Sequence, residues 1–428
     1  MLHILSMKPK TKALGIWTLP SEAEVYRVPL LQHIGKPAIP VVKAGDHVQM
    51  YQLLGKAAEG LSANIHSPVS GKVLEVKDIA LADGTMVPGV IIENDHQEEA
   101  APLLPQDDGT RESVLNILKE AGIAGEGGAQ FPTDVKYRVG NQKINTLIIN
   151  GTECEPYLTA DYALMADRTK DLLDGILIIQ SLLQADKVVI TVEKQNKDLK
   201  YKFAPLLRQP AYAHIHFHIL PNGYPQGGEL QLIKSVTGIE VPRNVLPKDA
   251  GVIVSNVGTV YSVFRAVKER RPLISRIVTI SGEKAESIGN YEIKIGTPLS
   301  HIFRTVGLYP EGKNIVLGGP MMGKPVCDPD APIVKGSSGL LMLKEKSEER
   351  GHCISCGYCV EACPMRLMPF KFEELVRKGD YAQLNSYGLS NCIECAACEY
   401  TCPANVPLIS SIKEGKNKLK QLAHDTKK

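Results

Sequence analysis

Eight of the ten cysteines in this 428-residue chain lie between Cys353 and Cys402. They form two runs, CISCGYCVEACP and CIECAACEYTCP, and both runs follow the spacing C-x2-C-x2-C-x3-C-P. Gaps of two residues let three thiolates surround one iron–sulfur cubane, while the backbone amides between them hydrogen-bond its sulfides. The spacing therefore predicts one-electron transfer by two [4Fe–4S] clusters.

The ligands of each cluster follow from a crossover. In two-cluster domains of this kind, the fourth cysteine of each run binds the cluster of the other run. The predicted ligands of the first cluster are Cys353, Cys356, Cys359 and Cys402. Those of the second cluster are Cys392, Cys395, Cys398 and Cys363. Zinc also binds C-x2-C pairs, but four zinc ligands need neither a third cysteine at that spacing nor the trailing Cys-Pro.

A second segment suited to chemistry is GEGGAQFPTDVK, which runs from Gly125 to Lys136 and is named the glycine loop below. Closely spaced glycines let backbone amides approach an anion, and the lysine adds positive charge. The loop lacks the spacing of a P-loop. A Rossmann fingerprint is also excluded, because a helical segment precedes the loop and Gln130 occupies the sixth position. A plain structural turn remains open for this loop taken by itself.

Composition limits the classes of protein to consider. The chain has 49 Lys and Arg against 47 Asp and Glu, so nothing indicates a nucleic-acid partner. We expect no signal peptide, because the apolar run in the first residues is too short and no small-residue cleavage site follows it; no apolar run approaches the length of a membrane span. Clustered cysteines indicate metal binding in a reducing compartment rather than disulfides. We therefore expect a cytoplasmic protein that is still able to dock on a membrane complex.

The elements that must position these segments change in type along the chain. Residues 1–98 have short strand patterns, and IHSPVSGKVLEV resembles the barrel-sandwich hybrid fold of lipoyl and biotinyl carriers. Ser67, Pro68 and Val69 stand where a carrier presents its modified lysine, which favours a structural module. Residues 110–275 alternate helix patterns with apolar runs such as KVVITVE, which predicts a parallel sheet covered by helices.

The rest of the chain has three further parts. Residues 276–345 return to strand patterns such as RIVTISGE and NIVLGGPMMG. The segment between the cysteine runs has a helical pattern, which predicts an α-helical ferredoxin domain over residues 350–410. The basic and polar residues 411–428 are predicted to form a solvated tail rather than a lipid-binding segment.

Three further segments follow the glycine loop in order: INGTECEP, YPQGGE and SNVGT. With the glycine loop, they resemble the flavin-binding segments of the NADH-oxidising flavoprotein subunit of respiratory complex I. The order of regions along nearly the whole chain is similar to that of the C subunits of Rnf electron transport complexes. The resemblance implies a multidomain α/β fold: a barrel-sandwich hybrid (1–98), a Rossmann-like FMN and NADH domain (110–275), a β-grasp ligand-binding-like domain of the SLBB type (276–345) and the ferredoxin domain.

The resemblance also implies a role for each of the four segments. The glycine loop brings amides and a lysine to FMN, INGTECEP supplies acids beside the isoalloxazine and nicotinamide, YPQGGE covers the flavin, and SNVGT lies on the phosphate side. The implied cofactor-binding residues are Gly125, Gly127, Gly128, Lys136, Asn150, Glu153, Glu155, Tyr224, Gly227, Gly228, Glu229, Ser255, Asn256 and Thr259. The complex I pattern differs at Glu126, where it has Arg, and at Gly228–Glu229, where it has two acids.

The function implied by the resemblance is oxidation of NADH, with electrons passing through FMN and the two clusters to a ferredoxin-like iron–sulfur subunit, reversibly. The other implied partners are integral membrane subunits of an ion-translocating ferredoxin:NAD oxidoreductase complex, with this chain bound peripherally at the cytoplasmic face. No acid–base residue is required, because the protein supplies orientation and electrostatics. A soluble cobalamin reductase of the diol-utilisation type and a non-catalytic electron-transfer adaptor remain the alternatives.

Overall fold

The structure is a computed structural model that describes residues 15–128, 130–242, 245–282, 288–308, 314–343 and 349–425. Residues 1–14 of the first predicted domain lie outside the described residues. The chain forms, in order, a small all-β unit, a parallel α/β unit, a mixed β unit and a helical unit.

The first unit contains two small antiparallel sheets, with strand orders β2-β8-β7-β4 and β3-β5-β6. The strands up to this point are β1 (Ile16–Thr18), β2 (Val25–Pro29), β3 (Ile39–Pro40), β4 (His47–Val48), β5 (Leu53–Lys56), β6 (Ile65–His66), β7 (Gly71–Ala80) and β8 (Met86–Asn94). Val28 and Leu54, one from each sheet, share a single buried cluster. Ser67 is fully buried and its hydroxyl donates to the Val69 carbonyl (2.7 Å), so this turn is structural and not a mobile arm.

The second unit has a four-stranded parallel sheet in the order β11-β10-β9-β12. Its elements are α1 (Arg111–Glu120), α2 (Thr133–Tyr137), β9 (Thr146–Asn150), α3 (Ala160–Asp167), α4 (Thr169–Leu183), β10 (Lys187–Glu193), α5 (Leu199–Leu207), β11 (Ile215–Leu220), α6 (Glu229–Thr237), β12 (Val252–Asn256) and α7 (Val257–Lys268). Val188 to Glu193 are consecutively buried, as expected for a strand that is covered on both faces. The order of the strands places the loops after β9 and β12 side by side.

The third unit is a mixed sheet with one helix. Its elements are β13 (Ser275–Gly282), β14 (Gly289–Lys294), α8 (Leu299–Thr305), β15 (Asn314–Leu317), β16 (Lys324–Pro325) and β17 (Gly339–Leu343). The strand order β14-β13-β17-β15-β16, with β17 parallel to β13 and the neighbouring pairs antiparallel, is that of a β-grasp fold. Strand β1 extends this sheet by pairing in parallel with β14, so the two β units are joined at this edge.

The fourth unit is helical and carries the two cysteine runs. Its helices are α9 (Tyr358–Glu361), α10 (Pro369–Arg377), α11 (Ala397–Tyr400) and α12 (Leu408–Asp425). The structure differs from the predicted separate tail, because α12 begins before residue 411 and continues to Asp425. Ile412 is fully buried, and Lys416 Nζ donates to the Cys392 carbonyl (2.6 Å). The first half of the basic segment therefore belongs to the cysteine-bearing unit.

Lys335 joins the first three units at a buried junction. Its Nζ donates to the carbonyl oxygens of Asn64 in the first unit (2.8 Å) and Gly122 in the second (2.5 Å). Burial lowers the pKa of Lys335 to about 7. Burial, with the nearby Lys335 charge, also lowers the pKa of His66 to about 3. The three units thus meet around polar groups that water does not reach, and their relative positions depend on these hydrogen bonds.

The multidomain α/β fold class predicted from the sequence is confirmed by this arrangement. None of the helices in the described part of the chain combines the length and apolar character that a membrane span requires.

The His66 environment predicts a specific loss of stability in acid. The unfolded chain binds a proton near the ordinary pKa of 6.5, whereas the folded chain does not until about pH 3. The free energy of unfolding should therefore fall by about 2 kcal/mol between pH 7 and pH 5 through this group alone. Urea unfolding at both pH values should show that His66→Gln loses this part of the decrease, whereas the exposed His216→Gln does not. An equal decrease in both variants would contradict the assignment.

Candidate functional site

The two cysteine runs form a structural repeat with a spacing of 39 residues (Cys353 to Cys392). At this spacing α9 corresponds to α11, and the start of α10 corresponds to the start of α12. Residues with a left-handed backbone also occur in equivalent pairs: Ser355 with Glu394, Gly357 with Ala396, and Arg366 with Asn405. These residues reverse the local direction of the chain, so that successive thiols of one run face a common space.

The eight thiols fall into two groups of neighbours. Burial raises the pKa of Cys359, and three other thiols add to the rise: Cys353, Cys356 and Cys402. Burial likewise raises the pKa of Cys398, with contributions from Cys392, Cys395 and Cys363. Because charge interactions weaken with distance, each set consists of thiols that lie near one another. This is the grouping expected if the fourth cysteine of each run serves the other cluster.

The second group of four thiols lines an open cavity of about 330 Å³ with apolar walls such as Phe372. Backbone amides donate to two of the sulfurs, from Glu394 to Cys392 (3.4 Å) and from Leu367 to Cys363 (3.3 Å). Four thiols, apolar walls and amide donors together fit a [4Fe–4S] cluster. Within the described ranges, no three His, Cys, Asp or Glu side chains are arranged to hold a single metal ion.

Three loops meet at the carboxyl edge of the parallel sheet, after β9, β11 and β12, and they contain INGTECEP, YPQGGE and SNVGT. Asn150 Nδ2 donates to the Gly227 carbonyl (3.0 Å), which joins the first loop to the second. A Cβ atom on Gly227 would lie 2.4 Å from the Thr152 carbonyl oxygen, so only glycine permits this contact. Open parallel sheets bind their ligands at this edge.

The glycine loop packs across the start of α7. The Glu126 amide donates to Thr259 Oγ1 (2.9 Å), and a Cβ atom on Gly127 would lie 2.7 Å from the Cβ of Asn256. The Asn256 side chain caps α7 by accepting a hydrogen bond from its first turn. Gly128 has a φ of +124° and open space where a Cβ atom would lie. The backbone at Gly128 is therefore accessible to a ligand.

Three other predicted residues hold the loops in place. The Gly125 amide donates to the Phe131 carbonyl (2.8 Å), which closes the base of the glycine loop. Gly228 is the N-cap of α6. The Ser255 hydroxyl shares a 2.7 Å hydrogen bond with the buried hydroxyl of Tyr137. The four segments carrying the predicted flavin residues are thus brought together.

Lys136 and Glu229 form an ion pair between two of these segments. The Nζ–Oε1 distance is 3.0 Å, and the two side chains are 32% and 43% exposed. An ion pair exposed to this extent contributes only about 0–1 kcal/mol to stability. Both charges therefore remain available to a ligand at the junction of the glycine loop and α6.

The acid that departs from the complex I pattern, Glu126, points into the protein. Its carboxylate pairs with the Arg276 guanidinium from β13 and accepts a hydrogen bond from the Ser262 hydroxyl. Both members of the ion pair are about 95% buried. Because Arg276 offsets the negative charge of Glu126, this acid does not repel an anion bound at the glycine loop.

The two acids of INGTECEP are both held by backbone amides. The Glu153 carboxylate accepts from the amides of Asp161 (3.0 Å) and Tyr162 (3.4 Å) at the start of α3. The Glu155 carboxylate accepts from the amides of Met321 (3.0 Å) and Met322 (2.9 Å) in the β-grasp unit. These four backbone hydrogen bonds fix the position of the loop between α3 and the β-grasp unit.

Two contacts at the site were not predicted from the sequence. The buried Glu193 accepts a hydrogen bond from the Gly223 amide (3.2 Å) and so anchors the loop after β11. The Tyr224 hydroxyl donates to the carbonyl oxygen of Cys395 (2.7 Å). The position of Glu193 at the end of an apolar strand was the available signal for the first contact. The second depends on the packing of separate units and has no local signal.

The site fits FMN on the geometry of the chain itself. At Gly127 and Gly227 there is no room for a side chain, so the backbones of neighbouring loops lie close together. Open space lies beside Gly128. The N-termini of α6 and α7 point toward these loops and favour a phosphate. The Lys136 side chain supplies a cation beside Glu229, the first residue of α6. The residues that would hold FMN are those of the four predicted segments.

Comparison with known families agrees with this geometry. Residues 118–265 match the Nuo51 FMN-binding domain, residues 2–97 match the RnfC barrel sandwich hybrid domain, and residues 352–406 match the 4Fe-4S dicluster domain. The solved structure of an NAD+-reducing [NiFe]-hydrogenase in the air-oxidised state is similar over 65% of this chain and 54% of the hydrogenase chain. Its TM-score is 0.51 and its sequence identity 19%, so this similarity concerns the fold alone.

Three curated relatives are similar over most of their length. The C subunit of the ion-translocating oxidoreductase complex of Rhodobacter capsulatus is 39% identical over 98% of this chain and 82% of the relative. The C subunit of the proton-translocating ferredoxin:NAD(+) oxidoreductase complex of Clostridium ljungdahlii is 38% identical over 83% of this chain and 79% of the relative. The Na(+)-translocating counterpart of Acetobacterium woodii is 35% identical over 92% of this chain and 91% of the relative.

The fold and the site define a flavin and iron–sulfur electron-transfer protein, with an FMN-binding domain followed by a dicluster domain. The chain belongs to the family of C subunits of ion-translocating oxidoreductase complexes, the Rnf family. The resemblance noted in the sequence is confirmed. The individual ligands of FMN and of the clusters stay predictions.

The crossover of ligands predicts an unusual effect of one substitution. Cys363→Ala, although it lies in the first run, should remove the cluster held by the second run, because Cys363 groups with the thiols of that run. Iron analysis should show about half of the wild-type content, and electron paramagnetic resonance should show one remaining cluster. The matched control is Cys327→Ser, an exposed cysteine outside both runs. Loss of the cluster bound by Cys353 instead would contradict the grouping.

Proposed function

We propose that this protein is the NADH-oxidising, electron-transferring subunit of an ion-translocating ferredoxin:NAD oxidoreductase complex. It exchanges electrons, reversibly, between NADH and a ferredoxin-like iron–sulfur subunit. Integral membrane subunits make up the rest of the complex, and this chain binds peripherally at its cytoplasmic face. The family membership and the FMN-binding and dicluster domains support this proposal.

The observation that carries the proposal is a direct contact between two parts of the chain. One part is the set of four predicted flavin segments, called the flavin loops, and the other is the helical unit with the two cysteine runs, called the cluster unit. Tyr224, from the loop after β11, hydrogen-bonds the backbone of Cys395. Tyr224 and Cys395 also share an apolar cluster with Met321 of the β-grasp unit, and Cys154 of INGTECEP packs against it. A flavin site and a cluster ligand in contact through one side chain suit electron transfer between them.

The contact supports an order for the two clusters along the electron-transfer path. The second group of thiols, which includes Cys395, adjoins the flavin loops and is proposed to hold the cluster that exchanges electrons with the flavin. The first group is more open, since Cys353 and Cys356 are both exposed. We place the exchange with the partner iron–sulfur subunit at that exposed cluster.

The proposed role of the residues of the site is to bind FMN and NADH and to orient them toward each other. When bound, FMN supplies two-electron chemistry with NADH and one-electron chemistry with the clusters. The glycine loop and the helix N-termini would hold the phosphate of FMN, and Lys136 and Glu229 would face the nicotinamide. The INGTECEP loop, fixed through Glu153 and Glu155, forms the neighbouring wall.

The proposal predicts that anaerobically reconstituted protein binds FMN and that NADH bleaches both the flavin and the cluster absorbance. Lys136→Ala and Glu229→Ala should each slow flavin reduction by about tenfold or more, because orientation of the reactants is lost. Iron content and thermal stability should stay unchanged, since the ion pair is largely exposed. The matched control is Lys143→Ala, which breaks an exposed pair with Asp186 away from the site.

Three outcomes would contradict the proposal. Clusters that stay oxidised with NADH in protein lacking flavin would indicate a non-catalytic adaptor. Reduction of cobalamin without co-purifying membrane subunits would indicate a soluble cobalamin reductase. Normal NADH turnover in both site variants would show that the nicotinamide site lies elsewhere.

A further inference from the structure

The glycine loop is held from outside its own unit. Arg276 belongs to β13 of the β-grasp unit, yet its guanidinium forms the buried ion pair with Glu126, the second residue of the loop. A second nitrogen of the same group donates to the Glu126 carbonyl oxygen (3.2 Å). The Arg276 Nε donates to the Ser337 carbonyl (3.2 Å), which fixes the orientation of the guanidinium. Arg276 therefore binds both the side chain and the backbone of Glu126 in the glycine loop.

These contacts, with others from α7, hold Glu126 in one position. Its amide donates to Thr259, and its carboxylate also accepts from Ser262, so every polar group of the residue is engaged. A Cβ atom on Gly258 would lie 2.8 Å from the Arg276 guanidinium and 2.9 Å from the Glu126 carboxylate. The pair thus fills the space between Glu126 and the first turn of α7, and it fixes the loop immediately before Gly128, whose backbone faces open space.

We propose that Arg276 is a positioning residue for FMN: acting through Glu126, it fixes the glycine loop in the conformation that receives the flavin phosphate. This inference rests on the proposed FMN site. It also assigns a role to the β-grasp unit, which holds the flavin loops at Glu126 and again at Glu155.

A purely structural role for the pair is the competing explanation, and a neutral replacement separates the two. Removing Arg276 alone leaves a buried unpaired carboxylate, which is strongly destabilising. Replacing both groups, as in Glu126→Gln with Arg276→Met, removes that penalty but also removes the fork that holds the loop. Stability and flavin affinity should therefore respond differently to the double substitution.

The experiment compares five proteins with reconstituted clusters and with the flavin removed. They are the wild type, Arg276→Met, Arg276→Lys, the neutral double variant, and Arg265→Met. The last is the matched control, because Arg265 pairs with Glu292 between the same two units without touching the glycine loop. FMN titration followed by flavin fluorescence gives the dissociation constant, and thermal unfolding gives the stability of each protein.

The proposal expects the double variant to recover thermal stability relative to Arg276→Met but to bind FMN about tenfold or more weakly than the wild type. Arg265→Met should bind FMN within about twofold of the wild type. Arg276→Lys, which keeps the charge but not the fork, should give an intermediate affinity.

Wild-type FMN affinity in the double variant would overturn the inference and leave a stability role only. If Arg276→Met does not fold, the double variant decides. If the double variant does not fold either, the pair is required for the fold and the inference fails. Absence of FMN binding by the wild type would instead contradict the proposed function.

Discussion

The hydrogen bond from the Tyr224 hydroxyl to the Cys395 carbonyl is the contact on which the arrangement depends. It places a loop of the flavin site directly on the backbone of a cluster ligand, in a buried apolar setting. Electron transfer between two cofactors requires that the protein hold them close and in fixed positions. The β-grasp unit contributes to this by packing Met321 against Tyr224 and Cys395, so that three units meet where the cofactors are proposed to meet.

Three carboxylates at the site are each held by a partner from another segment. Glu126 has a guanidinium from another unit, Glu155 has two amides of the β-grasp unit, and Glu193 has an amide of the loop that it anchors. Glu126 and Glu193 are buried, where a carboxylate without a partner is costly, so these contacts fix the loops in place. The flavin loops are therefore positioned by tertiary contacts more than by their own turns.

Local patterns predicted much of this protein. The cysteine spacing indicated the chemistry of the last unit, and the alternation of helices with runs such as KVVITVE predicted the parallel sheet. Properties that depend on packing between units were not predictable in this way. The inward direction of Glu126 depends on Arg276, which is 150 residues away. The extension of α12 into the basic segment depends on burial of Ile412 and on the Lys416 contact with the second cysteine run, neither of which a polar composition reveals.

The most direct test is an anaerobic cryo-electron microscopy map of the reconstituted protein with FMN and both clusters bound. We expect flavin density between the glycine loop and the loop that carries Tyr224, with the cluster on Cys395 nearer to the flavin than the cluster on Cys353. Flavin density at another site, or a nearer cluster held by Cys353, Cys356 and Cys359, would contradict this arrangement.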